Sequence, residues 1–232
     1  MFEKIYNISD QGIICDFGSE INKEINAKVI GVFNYINKNL EVKRELGIIN
    51  CIPSYNKLVI QYDLLFVSSD SIIKYISSIN EHHLTYLNNQ KEFEIPICYD
   101  KEYGLDLDSI SEQNKISIEE IIHFHHETSF YVYMLGFMPG FPFMGDLTNK
   151  LFTSRLKTPR VLVPAKSVAI VEKFCAIYPF DSPGGWNIIG KTPTKLFKKN
   201  KKNPSLLYPG AQIKFKSISK KNLLKLESKN NE

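Results

Sequence analysis

Residues 157–194 read KTPRVLVPAKSVAIVEKFCAIYPFDSPGGWNIIGKTPT, and the punctuation of this run decides the architecture of the second half of the chain. Three Pro- and Gly-marked segments are separated by short apolar runs, the spacing of strands joined by tight turns. Just upstream, Gly136-Phe137-Met138-Pro139-Gly140-Phe141 repeats the theme. Pro139 presets φ, and Gly140 supplies the positive φ that the next turn position needs. Pro183-Gly184-Gly185 reads as a turn whose amides are left free to face a ligand, because successive backbone N–H groups form an anion nest without a charged side chain. The same pattern also fits a buried hairpin corner with no ligand.

Working outward, residues 129–218 are short strands with turn signals at close intervals and almost no helical periodicity, which predicts a compact barrel or sandwich. Residues 99–128 predict a helical connection. LDLDSISEQ is a short helix, and Ser117-Ile118-Glu119-Glu120 is a capping box opening another, with Ile118, Ile121, Ile122 and His125 on one face. That helix should end near Thr128, where FYVYML begins a buried strand.

Residues 1–98 predict an α+β domain. GIICDF is a strand, and from Ile21 to Leu40 the residues Ile25, Val29, Val32, Phe33 and Ile36 recur at helical spacing. GIINCI and LVIQYD are joined by Pro53-Ser54-Tyr55-Asn56, a hairpin signal. Asp70 is placed to cap a second helix carrying Ile72, Ile73, Ile76, Ile79 and Leu87, and FEIPIC supplies a final strand. The order β-α-β-β-α-β is that of a ferredoxin-like unit. Residues 219–232, rich in Lys, Asn, Ser and Glu, read as a frayed tail.

Hydrophobic residues at 43% and charged residues at 23% are those of an ordinary soluble domain. No apolar stretch approaches the ~20 residues of a membrane span, and the N-terminus is not a signal peptide, so a cytoplasmic location without membrane contact is expected. Cys15, Cys51, Cys98 and Cys175 show no zinc-ligand spacing and read as reduced, buried thiols. The net charge is +4, and Lys198-Lys199-Asn200-Lys201-Lys202 has too few interleaved aromatics for a nucleic-acid site, so it reads as a solvated loop.

Gly185–Thr192 satisfies the phosphate-loop expression G-x-x-x-x-G-K-T, but Trp-Asn-Ile-Ile prefers a strand and Pro193 forbids the helix such a loop needs. His123, His125 and His126 lack a partner cluster, so no metal site is expected. Arg160 is the candidate for clamping a carboxylate or phosphate, since guanidinium is a rigid bidentate donor. Around it, Ser167, Tyr178 and Ser182 offer hydroxyls, Trp186 a wall, and Pro164 another turn.

GFMPGFPFMGDL, TPRVLVPAKSVAI and IYPFDSPGGWNIIGKTP together resemble the signature of the allophanate hydrolase subunit 1 family, which is also known as the family of 5-oxoprolinase B subunits or of histidine-kinase inhibitors. The likeness is dense from Ile95 to Phe215 and looser from Tyr6 to Asp63. It implies a C-terminal cyclophilin-like β-barrel after the ferredoxin-like domain. It also implies the site residues Gly136, Phe137, Pro139, Gly140, Phe141, Pro164, Ser167, Tyr178, Ser182, Pro183, Gly184, Gly185 and Trp186 for substrate, with His125 and Arg160 as catalytic candidates. His125 matches a histidine that precedes the GF-x-PGF segment in the family. The activity implied is ATP-dependent opening of 5-oxo-L-proline to L-glutamate, with MgATP at a site shared with a partner.

Two partners are implied. One is a homologous half, of the allophanate hydrolase subunit 2 or C-type 5-oxoprolinase kind, and the other is a separate hydrolase of the A-type 5-oxoprolinase kind. Relatives also include inhibitors that bind a sensor histidine kinase, and carboxyltransferase halves of urea amidolyases. Two departures from the family pattern bear on this chain. Lys166 stands at the usual Gly of VPAGSV, and Phe174-Cys175 stand at the usual Gln-Thr before IYP.

Overall fold

The strands of the first unit, Met1–Asn89, are β1 (Lys4–Ser9), β2 (Gly12–Asp16), β3 (Ile48–Pro53) and β4 (Lys57–Tyr62). They form an antiparallel sheet in the order β1-β2-β4-β3, and every second residue of β4 is buried, as a one-faced sheet requires. Helices α1 (Lys23–Lys38), α2 (Leu40–Glu45) and α3 (Ser69–Ser78) accompany the sheet, and Val29, Val32, Ile36, Ile72 and Ile76 share a core with Ile13, Leu58 and Ile60. Asn22 caps α1 by accepting from the Ile25 amide at 2.9 Å. The buried Asn26 donates to the carbonyls of Ser54 and Tyr55 at 3.0 and 2.8 Å, which ties α1 to the β3–β4 turn. This computed structural model describes residues 1–84 and 91–229.

Two expectations change here. Ser68, not Asp70, is the N-cap of α3; Asp70 lies in the first turn, and the helix ends at Ser78, while Leu87 lies outside the described residues. The edge strand of the ferredoxin-like arrangement is KIYNIS at the N-terminus and not FEIPIC. Five of its six positions are exposed, so it carries none of the apolar alternation by which strands are read, and it is held by pairing with β2.

FEIPIC belongs to the second unit, Gln90–Glu232, as β5 (Glu92–Ile97). The domain boundary read at residue 98 therefore moves to 89/90. In this unit α4 (Leu107–Asn114) and α5 (Ile118–Glu127) precede β6 (Phe130–Leu135), β7 (Pro142–Gly145), β8 (Arg160–Val163), β9 (Ser167–Val171), β10 (Phe174–Ile177), β11 (Ser182–Gly184), β12 (Asn187–Lys191), β13 (Gln212–Ser217) and α6 (Lys220–Lys229). The capping box of α5 forms as expected, Ser117 and Glu120 each bonding the other's backbone amide.

Seven strands make one sheet in the order β12-β9-β10-β7-β6-β13-β5, antiparallel except for β5 beside β13. Its two edges meet where Cys98 and Lys191 exchange amide–carbonyl bonds of 2.8 and 2.9 Å, so the sheet is a nearly closed barrel. A Cβ on Gly190 would stand 2.6 Å from the Cys98 carbonyl oxygen. Gly190→Ala is expected to lower stability by about 1–3 kcal/mol in urea titration, because the rigid backbone opposite has no room to yield. An unchanged midpoint would mean that this bridge does not close the barrel.

The continuous apolar runs of β9 and β10 are explained by burial on both faces. Val168, Ile170, Cys175 and Ile177 face the barrel core with Phe130, Ile213 and Phe215. Ala169, Val171, Ala176 and Tyr178 face outward into a second cluster with Phe141, Val163, Trp186 and Ile188. The ribbon formed by β8 and β11 stands apart from the seven-stranded sheet, and its Val163 belongs to that cluster.

The tail read as frayed is ordered over most of its length. Leu223 of α6 is fully buried, and Glu227 meets the ammonium groups of Lys166 and Lys191 at 2.9 and 3.2 Å. Composition misleads here because it counts polar residues without showing which of them find partners.

Candidate functional site

The outer cluster includes three of the residues singled out by sequence, Phe141, Tyr178 and Trp186. Phe141 packs edge-on against Tyr178 and Trp186, with ring centroids 5.1 and 6.1 Å away, and Phe137 lies 5.4 Å from it. Pro139-Gly140 forms the expected turn, with Gly140 at φ +79°. Three of the amides at this corner are already bonded to its own backbone. Met138 donates to Gly136, Phe141 to Met138, and Gly136 to Phe141, at 2.7, 3.1 and 3.1 Å.

The nest expected at Pro183-Gly184-Gly185 does not form. Ser182–Gly184 is extended and pairs with β8, so Pro183-Gly184-Gly185 is not a turn, and neither glycine has positive φ. Gly184 is small for a different reason: a Cβ there would sit 2.5 Å from the Tyr178 hydroxyl. Trp186 donates its amide to that hydroxyl, and burial raises the Tyr178 pKa despite this bond. The Gly185 carbonyl accepts from Leu156 at 2.8 Å.

Arg160 supplies the charge. Its Nη2 bonds Asp106 Oδ1 at 2.7 Å, while Asp106 Oδ2 accepts from the Ile188 amide at 2.6 Å. Asp106 is buried at the start of α4 and makes no capping bond there, so its carboxylate is committed to orienting the guanidinium. Arg160 Nη1 and Ser182 Oγ are both buried without a hydrogen-bond partner. Gly184 is the register partner of Arg160, so these two groups belong to the same ribbon. Val161 and Leu162 of this ribbon are exposed by 90% and 59%, and Phe137 and Phe180 in other segments by 66% and 45%.

Asp106 was missed by sequence reasoning. It sits in a helix-starting motif, and nothing local signals a partner 54 positions away. The phosphate-loop pattern does not form: Asn187–Lys191 is strand β12, as its residue types predicted.

His125 is not part of this site. It is fully buried on the barrel side of the sheet, with Nδ1 2.7 Å from the Tyr99 hydroxyl and Nε2 3.5 Å from Cys175 Sγ. Burial, helped by nearby His126, lowers its pKa to about 3, so it is a neutral core residue and the acid–base role is withdrawn. Burial likewise raises the Cys175 thiol well above its ordinary value, which makes it inert.

Pro164 and Ser167 bracket a turn closed by Ser167 N–H to Pro164 O at 3.2 Å, and between them Lys166 has φ +68°. The backbone is thus in the left-handed region that glycine tolerates best, and a side chain there costs about 1 kcal/mol. Lys166 offsets this by pairing with Glu227. Burial alone would raise the pKa of Glu227, but hydrogen bonds from Lys166 and Lys191 outweigh it and the net shift is downward.

A carboxylate whose folded pKa is depressed stabilises above its unfolded value of about 4.3 and loses that contribution as pH falls through the folded value. Glu227→Gln is therefore expected to cost about 1 kcal/mol at neutral pH and nothing in strong acid. Urea titrations of both proteins at the two pH values check this; a pH-independent difference would show that packing and not charge holds α6.

Residues 3–207 match the family described as carboxyltransferase domain, subdomain C and D. The chain belongs to that family. It is similar to the B subunit of 5-oxoprolinase from Bacillus subtilis, 36% identical over 229 residues and covering 94% of both chains. The corresponding 5-oxoprolinase B subunit of Haemophilus influenzae is 37% identical over 75% of this chain and 82% of its own. Among solved structures, the urea amidolyase of K. lactis superposes with a TM-score of 0.79 over 98% of this chain but 15% of its own, at 18% identity, a likeness of fold alone. In this carboxyltransferase-family chain no described helix is long and apolar enough to cross a membrane.

Proposed function

We propose that this chain is the B subunit of an ATP-dependent 5-oxoprolinase, opening 5-oxo-L-proline to L-glutamate together with two partners, a homologous half and a separate hydrolase. The observation that carries this is Arg160, held by Asp106 with one buried nitrogen left unpaired, on a ribbon whose Val161 and Leu162 are exposed. The guanidinium suits the carboxylate of the substrate or the charge that develops when a phosphoryl group is transferred to the lactam oxygen. Water then adds at the activated carbon, the ring nitrogen departs as the amine to leave an acyl phosphate, and a second water releases phosphate and the new carboxylate. The exposed Val161, Leu162 and Phe137 suit a second wall supplied by the partner half. The names of the bacterial relatives support the reading.

Glutamate release from 5-oxoproline, measured with ATP and all three purified subunits, tests it. Release is expected with the full set and not with this chain alone. Arg160→Lys is expected to lower kcat/KM by about tenfold, some 1.4 kcal/mol, since it keeps the charge and loses the fork. Absence of glutamate with all three subunits, while this chain suppresses a sensor kinase's autophosphorylation, would favour an inhibitor of histidine kinases instead.

A further inference from the structure

A second feature does not include Arg160 in its lining. Between β5, the end of β6 and the loop 194–208 is a half-open cleft of about 810 Å³. That volume is within the range of pockets for cofactor-sized ligands and larger than a lone phosphate or a small dicarboxylate needs. Its described lining includes four lysines, Lys91, Lys195, Lys198 and Lys201, and no carboxylate. Leu135 and the buried Leu207 contribute an apolar floor. At one wall the Tyr208 ring meets Phe93 edge-on at 6.0 Å, and the Lys91 ammonium stands 4.9 Å over the Phe93 ring. Tyr208 is 38% exposed, so a face remains for a planar ligand.

The ammonium groups of Lys91, Lys198 and Lys201 around one concavity favour the entry of an anion. An aromatic wall at the same cleft suits a ligand that is anionic at one end and flat at the other. The lysine run that composition assigned to a solvated loop thus contributes Lys198 and Lys201 to the wall of a cavity.

We propose that this cleft binds a nucleoside triphosphate, with the base against Tyr208 and the polyphosphate among Lys91, Lys198 and Lys201. The assignment rests on the function proposed above for its need of ATP, and it places that nucleotide on this chain. Magnesium would arrive with the phosphates, since the groups of the cleft are cationic.

Titration of the purified chain with a fluorescent ATP analogue and magnesium tests it. Saturable binding is expected, weakening as salt rises from about 50 to about 200 mM because the contacts are charge–charge. Lys198→Glu combined with Lys201→Glu is expected to weaken it at least about tenfold, and Tyr208→Ala is expected to remove the preference for ATP over inorganic tripolyphosphate. Circular dichroism of the same variants shows whether they fold; all three changes are at exposed positions.

No saturable binding, or binding that the double lysine variant leaves unchanged, overturns the site. Tripolyphosphate binding as tightly as ATP to the unaltered chain overturns the nucleoside part of the assignment. The binding assay needs no partner, so the two proposals fail separately. A three-subunit mixture that releases no glutamate, while the chain still binds ATP through Lys198 and Lys201, removes the function and keeps the site. A working complex whose KM for ATP is unmoved by the double variant removes the site and keeps the function.

Discussion

Phe141→Ala is expected to destabilise the second unit by about 3–5 kcal/mol, the cost of a large aromatic side chain removed from a packed cluster. The ring is 2% exposed and is boxed in by Tyr178, Trp186 and Phe143 at 5.1, 6.1 and 5.0 Å. The void could shrink only if the corner Gly136–Phe141 moved inward, and three backbone hydrogen bonds hold that corner in shape. Urea titration followed by tryptophan fluorescence reads the loss well, because Trp186 is the only tryptophan and lies in the same cluster. A loss under ~1 kcal/mol would show that the corner collapses freely, which is not how a rigid wall behaves. Phe141→Leu should recover more than half of the loss by refilling most of the space.

Asp106→Ala is expected to cost about 3 kcal/mol, at the low end for a broken buried pair because the Arg160 side chain is 27% exposed. Two groups lose their acceptor together: the guanidinium of Arg160 and the amide of Ile188. Asp106→Asn separates them, since it keeps an oxygen for Ile188 and removes the charge facing Arg160. A double-mutant cycle with Arg160→Met then isolates the ion pair, for which a coupling of about 1–3 kcal/mol is expected. A coupling near zero would mean that Asp106 serves Ile188 alone and that Arg160 is not held in place for a ligand. On the function proposed above, Asp106→Asn should also lower glutamate release by the three-subunit mixture, because the guanidinium would no longer be aimed.

Local signals are legible where one physical cause dominates. The runs Val168–Val171 and Cys175–Ile177 announce strands because both of their faces are covered, and Ser117 with Glu120 announces a helix start because the box is complete within four residues. Readings fail where two causes share one residue type. Glycine permits either a positive φ or a close approach; Gly140 uses the first and Gly184 the second, and the letter G is the same in both. His125 occupies a helical face that reads as chemistry, and its burial on the barrel side depends on β-strands far along the chain. Asp106 and Arg160, Glu227 with Lys166 and Lys191, and β5 beside β13 are all pairings across long sequence separations. Such pairings leave no periodicity to find.

The parallel pairing of Glu92–Ile97 with Gln212–Ser217 sets a timetable for synthesis. β5 emerges from the ribosome early, and its neighbour does not exist until residue 217 has cleared the exit tunnel. Until then Ile95 and Ile97 and an open backbone edge stand uncovered, a state inviting chaperones or association with other nascent chains. The N-terminal unit carries no such delay, because all four of its strands are complete by Tyr62.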